Sequence, residues 1–219
     1  MTSALLCHLV GCDGSGKSTI LNALQSTYDA IYIKEPASQH YIDLISSTND
    51  VFKQIDYFSA DRFNLYKDIK FPLSKTIVSD RSFICSLVYQ SLEIEAKHLW
   101  PPFSAIKQVY DQQLSIIPPN LVIYIHAEPS VIHRRLSTRG EDHYLTLDQI
   151  NAIQTRYQLI FQLFNLNVLP IDTSMTPIDI NVSKILSYIQ WRVIILPYPL
   201  ILSVKDAEPS QLTQSISNH

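Results

Sequence analysis

The sequence predicts an α/β domain in three layers, a five-stranded parallel sheet flanked by helices. Short apolar runs without period-two alternation recur along the chain, as strands buried on both faces require. Stretches of helical periodicity alternate with them, which demands right-handed crossovers between parallel strands. Polar clusters follow two of the runs directly, at Gly11–Thr19 and at Asp80-Arg81. Ligands in such sheets bind beyond the carboxyl ends of the strands, so the two clusters can share one crevice.

Ala4–Val10 is uniformly apolar and reads as the first strand, with a helix over Lys17–Ser26. Tyr28–Ile33 is the second buried strand, and Val51–Ile69 has helical periodicity with interspersed charges. Thr76–Ser79 is the third strand, and Phe83–Leu92 and Phe103–Ser115 read as helices. Pro118-Pro119 cannot extend a helix and so introduces the fourth strand, Leu121–His126. Helices over Ser130–Ser137 and Thr146–Phe164 flank a charged loop. Val168–Ile171 is the fifth strand and Ile178–Tyr188 the last helix. The pattern breaks after Gln190, giving one domain over residues 1–190 and an appendage over 191–219. The last dozen residues, rich in Ser, Gln and Asn, are expected to be mobile.

Composition narrows the function classes. With 219 residues, 46% hydrophobic and 17% charged, the chain can bury a core and is not a disordered sequence. A net charge of −3 gives no footprint for nonspecific nucleic-acid binding. The apolar run Val193–Val204 contains Pro197 and Pro199 and is too short to span a bilayer. Cys7, Cys12 and Cys85 show no CxxC spacing, and the N-terminus lacks the basic start of a signal peptide. Free thiols in the cytoplasm are the expectation. His8, His40, His98, His126, His133 and His219 show no ligand spacing and read as packing or surface residues.

Gly11-Cys12-Asp13-Gly14-Ser15-Gly16-Lys17-Ser18-Thr19 matches G-x-x-x-x-G-K-[ST] between a strand and a helix. Glycines let backbone N–H groups curl around phosphates, and the helix N-terminus adds partial positive charge. Lys17 would reach the β- and γ-phosphates of ATP, and the Ser18 hydroxyl would ligate Mg²⁺. Three of the four glycines in the chain fall in this loop, which is unlike a plain turn. Asp80 can hold Mg²⁺ directly or through water, and Arg81 can grip a phosphate with two donors; the plain alternative is a surface salt bridge. Arg134, Arg135 and Arg139 precede Gly140, Glu141, Asp142 and His143, which suits a closing lid over about 134–146. A solvated helix end is the other reading of that charge run. Phe58 and Arg62 lie four apart on one helix face. They either read a base or belong to the core.

These residues together resemble the thymidylate kinase family of P-loop nucleoside monophosphate kinases. The resemblance runs from about Leu5 to Ile189. Its anchors are the phosphate loop, Lys34-Glu35-Pro36, Phe58-Ser-Ala-Asp-Arg62, Val78-Ser-Asp-Arg-Ser-Phe83, Leu87-Val-Tyr-Gln90, Pro119–Ile125 and Arg135–Glu141. It implies the P-loop kinase fold and ATP- and Mg²⁺-dependent phosphorylation of a deoxynucleoside monophosphate, dTMP to dTDP. It places Asp13 near the acceptor sugar and phosphate, Phe58 on thymine, Arg62 on a base carbonyl, Arg81 on the acceptor phosphate and Tyr89 under the deoxyribose. Glu35 falls among the acceptor contacts, Arg135 on ATP, and Arg139 in the lid as a catalytic arginine. The apolar segment Trp191–Val204 is expected to pack on the body or to join a homodimer, since family members often pair.

Several positions depart from the family pattern. Val10 replaces a frequent Glu, Ser82 a Tyr or His, and Lys34 an Arg, which loses fork geometry toward a phosphate. A further lid arginine after Glu141 is missing, and Gly14 excludes a catalytic arginine inside the loop, so Arg134, Arg135 or Arg139 must serve. The segment between Lys17 and Glu35 is short. That feature, with Glu35-Pro36 and Asp80-Arg81-Ser82, also resembles deoxynucleoside kinases, in which the Glu acts as base toward a 5′-hydroxyl. A third reading is a non-catalytic nucleotide-binding module.

Overall fold

The computed structural model describes residues 5–68, 75–98, 107, 120–139 and 145–195. Strands β1 (Leu6–Val10), β2 (Ile31–Lys34), β3 (Ile77–Asp80), β4 (Leu121–His126) and β5 (Val168–Asp172) form one sheet in the order β2-β3-β1-β4-β5. Every pairing is parallel. Among the described residues there are seven helices: α1 (Lys17–Thr27), α2 (Gln39–Ser46), α3 (Val51–Asp68), α4 (Phe83–Ala96), α5 (Pro129–Ser137), α6 (Leu147–Leu163) and α7 (Ile178–Ile195).

The three layers follow from side-chain alternation along the strands. On one face, Ile20 and Leu24 of α1 and Val182, Ile185 and Ile189 of α7 pack against Cys7, Leu9, Ile123 and Ile171. On the other face, α4, α5 and α6 bring Ile84, Val88, Ile132, Ile150 and Tyr157 against Val10, Val122 and Tyr124. β1, covered on both faces, is buried along its whole length. Its central place in the sheet puts the loop after Val10 between the ends of β3 and β4, where Leu9 lies beside both Asp80 and Ile123.

Local chemistry sets the helix starts. Ser82 caps α4 by accepting from the Ile84 N–H at 3.1 Å. Thr146 and Gln149 form a reciprocal capping box on α6. Pro129 occupies the first turn of α5, where its missing N–H costs no hydrogen bond.

The structure corrects three boundaries and adds one helix. β2 begins at Ile31 rather than Tyr28, because the Tyr28 N–H still bonds the Leu24 carbonyl as the cap of α1. α2 has no counterpart among the expected elements; none of its residues is buried, so no core stripe announces it. α4 continues to Ala96. The last helix runs through Gln190 to Ile195, so the expected break at 190 falls inside α7. The helix expected over Phe103–Ser115 lies outside the described residues except for Lys107, as do lid residues 140–144 and the tail from 196. No described helix is long and apolar enough to cross a membrane.

Candidate active site

The phosphate loop leaves β1 through Gly11, whose φ is 151°. A Cβ there would sit 2.1 Å from the Ile125 carbonyl oxygen of β4, so only glycine lets the loop start this close to the sheet. Gly16, at φ 100°, turns the chain into α1 with no side-chain cap. The first N–H groups of α1 therefore face the loop, as an anion site needs. The Lys17 ammonium lies inside the curl, donating to the Gly11 carbonyl at 2.8 Å and the Cys12 carbonyl at 2.9 Å. Asp13 Oδ1 is 3.5 Å from the same ammonium. Ser18 and Thr19 are exposed on the first turn of α1. The Cys12 thiol is pushed up to about 11, by burial first and then by Asp13, and so is not a nucleophile at neutral pH.

Asp13 joins this loop to the third strand. Arg81, just past β3, donates Nη2 to Asp13 Oδ1 at 3.0 Å. Burial is the largest influence and would lower the Arg81 pKa, but Asp13 together with Cys85, Tyr89 and Tyr157 outweighs it and the net shift is upward. Both side chains remain near half-exposed, so the pair is open to a ligand. The Tyr89 hydroxyl on α4 accepts from the Asp13 N–H at 3.2 Å. Burial, then Asp13, raises the Tyr89 phenol and keeps it protonated.

A cavity of about 250 Å³ opens beside this pair. Asp13, Arg81, Phe58, Arg62, Glu35 and Tyr89 all line it. Its inner end is a closed charge network. The Glu35 carboxylate, 3% exposed, accepts from Arg62 Nε at 2.7 Å, from the Tyr66 hydroxyl at 3.1 Å and from the Ser79 hydroxyl at 3.3 Å. Arg62 Nη2 also reaches the Ser86 hydroxyl at 3.3 Å. With three donors on it, Glu35 serves as the counter-ion that orients Arg62.

On the other side of the phosphate loop lies a polar groove of about 710 Å³. Gly14, Gly16 and Thr19 form one wall, Arg135 and Arg139 another, and Thr173–Ile178 the third. Arg135 is tied to the Thr173 carbonyl at 2.7 Å and the Thr173 hydroxyl at 3.1 Å. Burial and the neighbouring Arg134 and Arg139 lower its pKa. Arg139, exposed just beyond α5, lines this groove and not the cavity of Phe58 and Arg62. Asp80 stands at the carboxyl end of β3, half-buried, one residue before Arg81.

The expected residues thus fall into two compartments joined by the phosphate loop and the Asp13–Arg81 pair. Four partners were not among them. Gln90 and Ser86 line the cavity, and Gln90 Oε1 is buried without a hydrogen-bond partner. Asp61 accepts from the Ala37 and Ser38 N–H groups at 2.8 and 2.9 Å and so fixes the turn after Glu35. Tyr157, fully buried on α6, donates to the Gly11 carbonyl at 3.3 Å. Tyr157 is 146 positions from its partner, and no local spacing marks it.

Comparison with known proteins places these features. Residues 9–185 match the family model described as thymidylate kinase. A probable thymidylate kinase of Picrophilus torridus is 30% identical over 175 residues, covering 75% of this chain and 86% of that protein. The thymidylate kinase of Campylobacter lari is 26% identical over 184 residues, covering 76% and 90%. Among solved structures, the thymidylate kinase of Candida albicans aligns with a TM-score of 0.67 at 18% identity, over 87% of this chain and 92% of that one.

Proposed function

Because the chain belongs to the thymidylate kinase family, we propose that it transfers the γ-phosphate of ATP to dTMP, with the acceptor in the cavity of Phe58, Arg62 and Tyr89. The observation that carries this reading is the Asp13–Arg81 pair, which sits between the phosphate loop and that cavity. An acceptor phosphate bound there meets the Arg81 guanidinium on one side and faces the loop that holds Lys17. Phosphoryl transfer asks the protein for alignment and charge stabilisation more than for covalent work. Lys17 and the N–H groups of α1 would hold the donor phosphates, and Arg81 the acceptor phosphate. Arg135 and Arg139 line the groove assigned to the rest of ATP, and Arg139 is the lid arginine proposed to reach the transferring group.

Ser18 and Asp80 supply hard oxygen ligands that suit Mg²⁺. Among the described residues no three His, Cys, Asp or Glu could hold a metal by themselves. That fits a cation that takes most of its ligands from phosphates and water. When bound, Mg²⁺ would neutralise charge on the donor phosphates. The three free thiols, all buried, support a reducing compartment such as the cytoplasm. Pairing of two copies is proposed on family resemblance alone.

The state of Glu35 counts against the nucleoside kinase reading. A base toward a 5′-hydroxyl must present a free carboxylate oxygen to the substrate, whereas Glu35 is 3% exposed and engaged by three donors. The test is a panel of thymidine and dTMP with ATP and Mg²⁺, run on the wild type, Arg81→Ala and Glu35→Gln. We expect turnover of dTMP. Arg81→Ala should cut kcat/KM for dTMP by roughly a hundredfold or more. Glu35→Gln should raise the dTMP KM and lower the melting temperature, since it leaves the Arg62 charge unpaired. Phosphorylation of thymidine with none of dTMP would overturn the reading.

A further inference from the structure

The Lys17 ammonium is aimed by two carbonyl groups, and each of them has a second donor on it. The Cys12 carbonyl accepts from Lys17 at 2.9 Å and from the Ser15 N–H at 3.1 Å, so the loop itself fixes this acceptor. The Gly11 carbonyl accepts from Lys17 at 2.8 Å and from the Tyr157 hydroxyl at 3.3 Å. Tyr157 lies on α6, outside the phosphate loop. A carbonyl oxygen offers two lone pairs, and on Gly11 both are engaged.

Gly11 needs a hold from outside the loop. No side chain anchors its peptide, and none can be added, because a Cβ would stand 2.1 Å from the Ile125 carbonyl oxygen. Glycine also resists rotation of its own peptides less than any other residue. Tyr157, by contrast, is held firmly. Its side chain is fully buried, with ring centroids 5.3 Å from Tyr124 and 5.8 Å from Phe161. One residue before it, Arg156 ties α6 to α4 through the Ser91 hydroxyl at 2.7 Å. Burial, the largest influence, raises the Tyr157 phenol well above its ordinary range, so it remains a proton donor. A phenylalanine would fill the same space and pack on the same rings, but would leave the Gly11 carbonyl to Lys17 alone.

We propose that Tyr157 is a positioning residue for the donor half of the site: its hydroxyl pins the Gly11 carbonyl from outside the loop, and that carbonyl in turn aims the Lys17 ammonium at the donor phosphates. The proposal rests on the functional reading above for the role of Lys17. Tyr157 touches no reacting atom and acts through Gly11 and Lys17. With the hydroxyl gone, the carbonyl and the ammonium move as a pair, and small displacements of a positioned charge cost rate steeply.

The test compares Tyr157→Phe with the wild type in affinity for ATP with Mg²⁺ by calorimetry, in the KM of each substrate, in kcat and in melting temperature. The ATP Kd and KM should rise about tenfold and kcat should fall, while the dTMP KM stays within about twofold. A hydroxyl that serves only the core would lower the melting temperature of Tyr157→Phe and leave ATP affinity and kcat unaltered; that result overturns the proposal. So does an equal loss toward ATP and dTMP. The route through Lys17 is read from a double-mutant cycle in ATP affinity. In a Lys17→Met protein, Tyr157→Phe should weaken ATP binding by less than about twofold, because the group it acts through is gone. A further loss as large as the one in the wild type shows action on the loop apart from Lys17 and refutes the route. Should the wild type phosphorylate thymidine and not dTMP, the acceptor reading falls, and ATP affinity still decides the role of Tyr157.

Discussion

Arg81 shows how one residue couples the two compartments. Its backbone is strained at φ 76° and its side chain holds Asp13 of the phosphate loop. Tyr89 completes the joint, because its hydroxyl accepts from the Asp13 N–H while its ring lines the cavity. Its two parts should separate by substitution. Tyr89→Phe keeps the ring and loses one hydrogen bond worth about 1 kcal/mol, so turnover should fall several-fold with the preference for deoxyribose retained. Tyr89→Ala removes the ring and should relax that preference. The measurement is the ratio of kcat/KM for dTMP to that for its ribose counterpart; equal use of both by the wild type would refute the role. Asp13 and Arg81 were visible in the sequence because each follows a strand end, and Tyr89 through its spacing from Arg81 on the helix that follows. The partners of Glu35 were not, since Arg62, Tyr66 and Ser79 come from two other elements and meet only after folding.

Among the elements, α2 and α7 depart most from their sequence signals. α2 follows the turn whose Ala37 and Ser38 N–H groups are held by Asp61 of α3. Its place is thus fixed by a carboxylate on another helix and not by burial of its own residues. α7 extends past Tyr188 because its end is anchored. Arg192 Nη2 donates to Asn167 Oδ1 at 2.9 Å, and its guanidinium lies 5.5 Å from both the Tyr188 and Trp191 ring centroids. Asn167 in turn donates to the Asn120 carbonyl before β4. A chain ending at Gln190 loses this clamp, whereas one ending at Ile195 keeps it. Truncation after Gln190 should therefore lower the melting temperature by several degrees, equivalent to about 1–2 kcal/mol, relative to truncation after Ile195. Equal melting temperatures for the two would show that the clamp contributes nothing.

For the molecule as a whole, the buried His8 predicts a pH dependence of stability. Burial first, then Arg62, lowers its pKa from 6.5 to about 3 in the folded state. Between these values the unfolded chain binds a proton that the folded chain refuses, so stability rises with pH across that window and is lost as pH falls below about 6.5. The limiting slope is about 1.4 kcal/mol per pH unit. Melting curves at pH 7.5 and 5 should differ accordingly, and His8→Leu should shrink the difference. An unchanged difference would mean that other groups set the acid limit. The sequence by itself determined the parallel α/β sheet, the phosphate loop and the Asp80-Arg81 cluster at a strand end, since short buried runs and glycine geometry are local properties written at fixed spacing. Only the tertiary structure decided that Glu35 is the bound counter-ion of Arg62, that Arg139 lines the groove apart from Phe58, and that a buried histidine stands edge-on to Phe83. Those facts depend on side chains brought together from distant strands and helices, and burial and partners are fixed only where the elements close on one another.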